Sequence, residues 1–246
     1  MSNIKLSVVI PAYNEEKNLK AGSLESVEDY LKDQTYDYEV VIVDDGSTDK
    51  TAEIIEGQIK NKSGFRLIKN PHGGKAITVM TGILESIGEI AIFTDMDQAT
   101  PLNQIEKFFP KFKEGFDIVI GTRQGREGAP FIRKIYAFGF SLLRSVILGI
   151  PFDTQCGFKA CNRNAVRDIF PGLLKKWQRT RNIGAAVHAG FDVETLFLAR
   201  TKHFKIAAVP VTWHYVGSER VGVNAAFEAL KDMIRIRIYA FRGEYD

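Results

Sequence analysis

Asp95 and Asp97 stand one residue apart at the end of an apolar run, Ile90-Ala91-Ile92-Phe93-Thr94. A second run, Val40-Val41-Ile42-Val43, leads in the same way into Asp44-Asp45-Gly46-Ser47. Such runs read as buried parallel strands, and open α/β sheets bind ligands beyond the C-terminal ends of these strands. In an extended chain, residues two apart point the same way, so the spacing predicts Asp95 and Asp97 on one face with Met96 turned away. Two carboxylates on one edge repel each other unless a cation lies between them. A hard divalent ion that also holds phosphate oxygens is the natural occupant.

Other residues extend this chemistry. Pro11-Ala12-Tyr13-Asn14-Glu15 follows a first β-branched run. The Tyr13 ring can stack on a flat base and Glu15 can accept from a base or ribose, although an ordinary strand-to-helix turn needs the same residues. One aspartate of the Asp44-Asp45 pair suffices to cap a following helix. The other is then left to accept from a uracil N–H and ribose hydroxyls. Gly73-Gly74-Lys75 resembles a phosphate loop but fails its pattern: Ala76 replaces Ser/Thr, and no glycine lies five positions before Gly74. No G-x-G-x-x-G occurs either, which disfavours both a P-loop enzyme and a dinucleotide dehydrogenase. Lys75 either reaches a nucleotide from its helix start or is a solvated lysine. The histidines and the two cysteines, Cys156 and Cys161, form no metal spacing, and Arg179-Thr180-Arg181 is a basic loop or a cover for a diphosphate.

The elements that must position these groups alternate. Strands are predicted at Lys5–Tyr13, Tyr38–Asp44, Phe65–Lys69, Glu89–Thr94 and Asp117–Gly121. Helices are predicted at Leu19–Leu31, from Ser47-Thr48-Asp49 to about Lys60 with Ser47 or Thr48 as its cap, at Ala76–Ser86, and from Pro101 to Lys113. This is a doubly wound α/β pattern with a mainly parallel sheet. Regularity then stops. Cys156–Cys161 is a short candidate return to the sheet, Val166–Trp177 and Val193–Lys202 read as helices, and Ile206–Tyr215 is an edge or bulged strand because Pro210 lies inside it. The 246 residues therefore read as a single domain, with a nucleotide half at 1–121 and an acceptor half at 122–246.

Apolar content is 45%, and the net charge of +3 comes from 33 basic and 30 acidic residues. That balance argues against nucleic acid as a partner. Two cysteines make no disulfide framework, which predicts a reducing, cytoplasmic setting. The N-terminal residues lack a signal peptide's apolar core, and no stretch reaches the roughly 18–20 uncharged residues of a membrane span.

In order along the chain, Val8-Val9-Ile10-Pro11-Ala12-Tyr13-Asn14-Glu15, Val43-Asp44-Asp45-Gly46-Ser47-Thr48-Asp49 and Asp95-Met96-Asp97 resemble the family 2 glycosyltransferases of GT-A fold. Gly121-Thr122-Arg123, Asp153-Thr154-Gln155-Cys156-Gly157-Phe158-Lys159, Phe191-Asp192-Val193-Glu194 and Val209-Pro210-Val211-Thr212-Trp213, followed by Gly217-Ser218-Glu219-Arg220, are similar to the dolichyl-phosphate hexose synthases. Asp97-Gln98-Ala99-Thr100 points within that group to the β-glucosyl branch.

The resemblance implies roles. Pro11, Tyr13, Glu15 and Asp44 would hold the nucleoside, with Lys75 and Met96 in the donor-binding set. Asp95 and Asp97 would hold Mg2+ or Mn2+ and, through it, the donor diphosphate. Arg220 stands where the family often has Lys and would neutralise the leaving diphosphate. Arg123 and Arg133 would grip the acceptor phosphate. Eukaryotic glucosyl members carry a membrane segment before the catalytic domain, and none is read here.

The implied reaction is a single inverting displacement that moves a hexose, most simply glucose from UDP-glucose, onto a polyprenyl phosphate. A phosphate acceptor is already anionic and needs no general base. Asp192 and Glu194 are the candidates for a base, unless each caps the helix after Gly190. The lipid must be met at a bilayer. Phe131–Leu148 and Val223–Phe241 combine apolar and basic residues, as an interfacial helix would, or as a core-packed one also would. The expected enzyme is peripheral on the cytoplasmic membrane face. Rivals are a mannosyl enzyme using GDP-mannose, a transferase acting on a sugar hydroxyl, a nucleotidyltransferase and a non-catalytic nucleotide-sugar binder.

Overall fold

A computed structural model describes residues 4–123, 143–151, 156–180, 190–214 and 223–245. The first half delivers the expected strands: β1 (Leu6–Ala12), β2 (Tyr38–Asp44), β3 (Phe65–Lys69), β4 (Ile90–Phe93) and β5 (Ile118–Arg123). β6 (Lys159–Asn162) and β7 (Ile206–Val211) complete one seven-stranded sheet of order β3-β2-β1-β4-β6-β5-β7. Every pairing is parallel except those of β6, which runs antiparallel between β4 and β5. β7 takes the edge, where Pro210 leaves no ladder bond unmade on a further neighbour. Because β5 itself crosses position 121, both halves of the chain share the sheet.

The sheet is buried on both faces, so β1, β2 and β4 are almost continuously apolar and carry no polar alternation. One face packs Val9, Val41, Val43 and Phe93 under α4 (Lys75–Glu85), α7 (Arg163–Thr180), α8 (Gly190–Thr201) and α9 (Val223–Phe241). The other packs Val8, Ile10, Ile42 and Ile92 under α1 (Glu16–Lys20), α2 (Ser23–Leu31), α3 (Thr51–Ile59), a 3-10 turn (Leu102–Lys107) and α5 (Phe109–Lys113). Residues 143–148 form a further short helix, α6.

Three helix expectations change. The run from Leu19 to Leu31 is two helices, parted at Ala21-Gly22. The helix expected from Pro101 to Lys113 is a 3-10 turn followed by α5. Neither Ser47 nor Thr48 caps α3, because both are engaged by Asn14 across the sheet edge.

β1 runs to β2 and β3 on one side, and β4 lies on the other. The chain therefore reverses direction across the sheet between β1 and β4. The β1–β4 ladder ends at Val9 and Phe93, whereas β1 stays paired with β2 as far as Ala12. Pro11 lies in the stretch where β1 has only β2 beside it. A crevice between β1 and β4 results at the topological switch point.

Candidate active site

The acidic turn lies beyond β4. The backbone leaves the strand after Phe93, and Gln98 adopts a positive φ of 50°. The Gln98 N–H donates to the Asp95 carbonyl at 3.1 Å, and the Ala99 N–H donates to Asp97 Oδ1 at 3.0 Å. The expected extended triplet is thus a turn, closed by the Asp97 side chain itself. Met96 does turn away: it is buried in the core, and Ser23 Oγ donates to its sulfur at 3.3 Å. Its side chain is removed from the donor-binding set.

The two carboxylates do converge on common neighbours. Lys75 Nζ lies 2.5 Å from Asp95 Oδ1. Burial works against the Lys75 charge, but Asp95, Asp192 and Asp97 outweigh it and the Lys75 pKa is raised. Glu15 comes in from the end of β1, where its N–H donates to Thr51 Oγ1 at 2.7 Å and its carboxylate accepts from Asn18. Burial raises the Glu15 pKa, with Asp97 and Asp95 adding repulsion against the help of Asn18 and Lys75.

Asp44 and Asp45 divide the work in a way that adjacency alone does not reveal. Asp45 is buried, and its two oxygens accept from the Gly73 and Gly74 N–H groups at 2.7 and 2.8 Å. His72 Nδ1 lies 3.0 Å from Asp45 Oδ2. The glycine-rich turn is therefore not a phosphate cradle, because a carboxylate of the protein already occupies its amides. Gly74, at φ 86°, makes this possible and starts α4 so that Lys75 faces the crevice. Asp44 accepts only long bonds from the Ser47 N–H, at 3.3 and 3.4 Å, and keeps acceptor capacity. Tyr13 is 43% exposed, and its ring stacks on His72 with centroids 4.5 Å apart.

β6 supplies the other wall, which the composition of its segment did not suggest. A Cβ on Gly157 would stand 2.2 Å from Asp95 Oδ2, so only glycine lets that carboxylate lie there. Lys159 is buried, donates to the Cys156 carbonyl and lies 3.0 Å from Asp192 Oδ1 in the first turn of α8. Burial raises the Asp192 pKa and Asp95 adds to it, while Lys159 and Lys75 oppose it. Glu194, the other candidate base, faces elsewhere. Lys176 and Trp177 donate to its oxygens at 2.5 and 2.6 Å, and Tyr245 donates as well. It is a structural carboxylate.

Arg123 ends β5 on the same edge, with its guanidinium 4.5 Å from the Trp213 ring centroid. The segment after β7 returns to the acidic turn, where the His214 N–H donates to the Ala99 carbonyl at 2.7 Å. The structure thus gathers Glu15, Lys75, Asp95 and Asp97 at the switch point, with Asp44 and Tyr13 on the β2 side and Arg123 on the β5 side. Arg133, Arg220 and Arg181 lie outside the described residues. His72, Gly157 and Lys159 are the additions that residue type alone did not mark. Cys156 and Cys161 are free and buried.

The donor set suits a divalent ion. Among the described residues, Glu15, Asp95, Asp97 and Asp192 interact with the cations Lys75 and Lys159, and an ammonium already lies against Asp95. Among the described residues no group of three or more His, Cys, Asp or Glu is arranged to hold a metal ion, so the candidate protein ligands are the two carboxylates of Asp95 and Asp97. Two carboxylates with open positions left for phosphate oxygens is the usual arrangement for Mg2+ and related ions.

Comparison with known proteins identifies the family and the fold. The family described as Glycosyl transferase family 2 matches residues 7–170. The chain is 32% identical to a dolichyl-phosphate beta-glucosyltransferase of Trichomonas vaginalis, over 98% of this chain and 73% of that protein. It is 34% identical to the dolichyl-phosphate beta-glucosyltransferase of Dictyostelium discoideum, over 99% of this chain and 77% of that protein. Glucosyl-3-phosphoglycerate synthase from Mycobacterium tuberculosis, solved with Mn2+, UDP and glucosyl-3-phosphoglycerate, superimposes with a TM-score of 0.61 at 20% identity. That match covers 96% of this chain and 79% of the other. The shared architecture is the GT-A fold.

Proposed function

The chain belongs to glycosyl transferase family 2, and from that premise we propose that it moves glucose from UDP-glucose onto a dolichyl or polyprenyl phosphate with a divalent metal, Mg2+ or Mn2+. The observation that carries the reading is the acidic turn at the β1–β4 switch point with Lys75 upon it, in a chain 32% identical over 98% of its length to a dolichyl-phosphate beta-glucosyltransferase. The 1–121 half takes the donor and the 122–246 half takes the acceptor.

Tyr13, Glu15 and Asp44 receive the nucleoside, with Pro11 shaping the crevice floor. Asp95 and Asp97 would hold the metal ion, whose charge would favour departure of the diphosphate. Lys75 meets the same diphosphate from the start of α4. Arg123, together with Arg133, would bind the acceptor phosphate, and Arg220 would neutralise the leaving diphosphate. An acceptor oxygen bonds to the anomeric carbon as the bond to the donor diphosphate breaks, with inversion and release of UDP. The protein's task is to hold two anions in line in spite of their repulsion. No general base is required, which accords with Asp192 being paired to Lys159 and Glu194 being turned away.

A panel of UDP-glucose, GDP-mannose and other nucleotide sugars, with and without polyprenyl phosphate, tests the reading. Glycolipid formation and UDP release are expected only with UDP-glucose and the lipid together. Preference for GDP-mannose would move the chain to a mannosyl assignment. Transfer to a lipid-free sugar hydroxyl would remove the lipid acceptor.

The lipid acceptor calls for a bilayer surface, and α9 offers one. Ile234, Ile238 and Phe241 recur at helical spacing on its exposed side, with Phe241 94% exposed, and Arg235, Arg237 and Arg242 flank them. Arg237 Nε donates to the Ile147 carbonyl at 2.7 Å, which brings in α6 and its Val146, 72% exposed. No helix among the described residues is long and apolar enough to cross a membrane. Residues 131–142 of the other expected interfacial stretch lie outside the described residues. The proposed localisation is therefore peripheral, on the cytoplasmic membrane face, with anionic lipid as the partner surface. Aspartate at both 238 and 241 is expected to reduce co-flotation with anionic vesicles about tenfold or more without changing the circular dichroism. Wild-type flotation of that variant would remove this surface.

A further inference from the structure

We infer that Lys75 is a built-in counter-cation for the acidic turn: its ammonium holds Asp95 in the metal-free protein and yields that position when a divalent ion loads. The inference rests on the reading of Asp95 and Asp97 as the ion's ligands, and it adds a second task to a residue so far given only to the diphosphate.

Three observations lead to it. First, the contact is direct: Lys75 Nζ lies 2.5 Å from Asp95 Oδ1. Asp95 Oδ2 is hemmed in by the Gly157 backbone, where even a Cβ would stand at 2.2 Å, so Oδ1 is the oxygen left to an incoming cation. Lysine and metal ion would therefore seek the same atom.

Second, only the side chain is free to exchange. The start of α4 is pinned because Asp45 binds the Gly73 and Gly74 amides. The Lys75 ammonium, by contrast, is half exposed on a flexible four-carbon stem. The same pinning closes the helix N-terminus to a phosphate, so a diphosphate on this side meets the ammonium and not the amides.

Third, among the described residues the carboxylates outnumber the cations at this turn. Glu15, Asp95, Asp97 and Asp192 crowd together against Lys75 and Lys159, and Lys159 is committed to Asp192. An ammonium relieves the repulsion at Asp95 with one charge, and a divalent ion relieves it with two. Lys75 thereby keeps the unloaded turn from springing apart, at the cost of competing with the metal.

Titration with Mn2+, followed by the electron-spin signal of the free ion, tests the exchange on wild type, Lys75→Met, Lys75→Gln and Lys75→Arg. Without nucleotide, the Met and Gln variants are expected to bind Mn2+ roughly three- to fivefold more tightly than wild type, the worth of an exposed ion pair. They should also melt at a lower temperature than wild type when metal is absent. Lys75→Arg, which keeps the charge, should return both properties toward wild type. A purely structural lesion would not tighten metal binding. Equal or weaker Mn2+ binding by the Met and Gln variants, or tightening in the Arg variant as well, would overturn the inference while leaving Asp95 and Asp97 as ligands. Failure of wild type to bind Mn2+ even with UDP present would overturn both.

Discussion

Asparagine at position 97 is expected to lower transfer by about a thousandfold or more, and alanine at position 157 by about a hundredfold, with both variants folded. The first removes half of the charge that the donor's metal would meet, and it alters the side chain that closes the turn onto the Ala99 N–H. The second leaves every charged group in place. The new methyl would stand 2.2 Å from Asp95 Oδ2 and 3.1 Å from Oδ1, so the carboxylate must shift from its place. A displacement on the order of 1 Å at a reacting site costs roughly two orders of magnitude. Glycolipid synthesis measures the rates, and far-UV circular dichroism with thermal melting confirms the fold. Full turnover of wild type in excess chelator, or an unaltered rate in Gly157→Ala, would refute this account of the turn.

Alanine at position 194 is expected to destabilise the protein by about 3–5 kcal/mol, as measured by denaturant unfolding. Glu194 is almost wholly buried and accepts from Lys176, Trp177 and Tyr245. Its removal takes away the carboxylate that neutralises Lys176, whose ammonium lies 5.3 Å from the Trp177 ring centroid and 4.7 Å from that of Tyr239. Burial and the nearby Glu194 charge raise the Tyr245 pKa, so its phenol stays a donor throughout the accessible range. Glu194→Leu combined with Lys176→Met should recover much of the loss, because an apolar pair of similar size often replaces a buried ion pair at little cost. A loss below about 1 kcal/mol in the alanine variant would show that the network contributes little.

The donor side of this site was legible because buried parallel strands declare themselves. β1, β2 and β4 are apolar on both faces, and their polar ends stand out against that background. Which of two adjacent aspartates remains available was not legible. The answer depends on amides at Gly73 and Gly74, far along the chain, that claim Asp45 and release Asp44. Gly157 and Lys159 lie in a motif carried by resemblance and in a segment expected to return to the sheet, but their place beside the acidic turn and Asp192 is hidden for a related reason. Lys-Ala-Cys-Asn is a short strand with no apolar signature, and its place between β4 and β5 follows from partners that are remote in sequence. The turn at Asp95–Asp97 was taken for extended chain because alternation alone cannot show that Asp97 folds back on Ala99. The acceptor side was legible only as motifs carried by resemblance, with Arg123 reached by the described structure and Arg133 and Arg220 beyond it.

The reversed strand also sets an order of assembly. Cys161 is in register with both Ala91 and Ile118, so β4 and β5 can never zip directly to each other. A ribosome that has finished β5 has produced two strands with a slot between them, each presenting unsatisfied backbone along one side. That slot stays open until residues 159–162 emerge, and closing it joins strands remote in sequence at an entropic cost that slows the step. During this interval the half-made sheet has the raw edges that invite pairing with another chain. The strand that closes the slot also brings Gly157 to Asp95, so the acidic turn gains its wall in the event that removes these two edges, while the outer edge of β5 waits for β7.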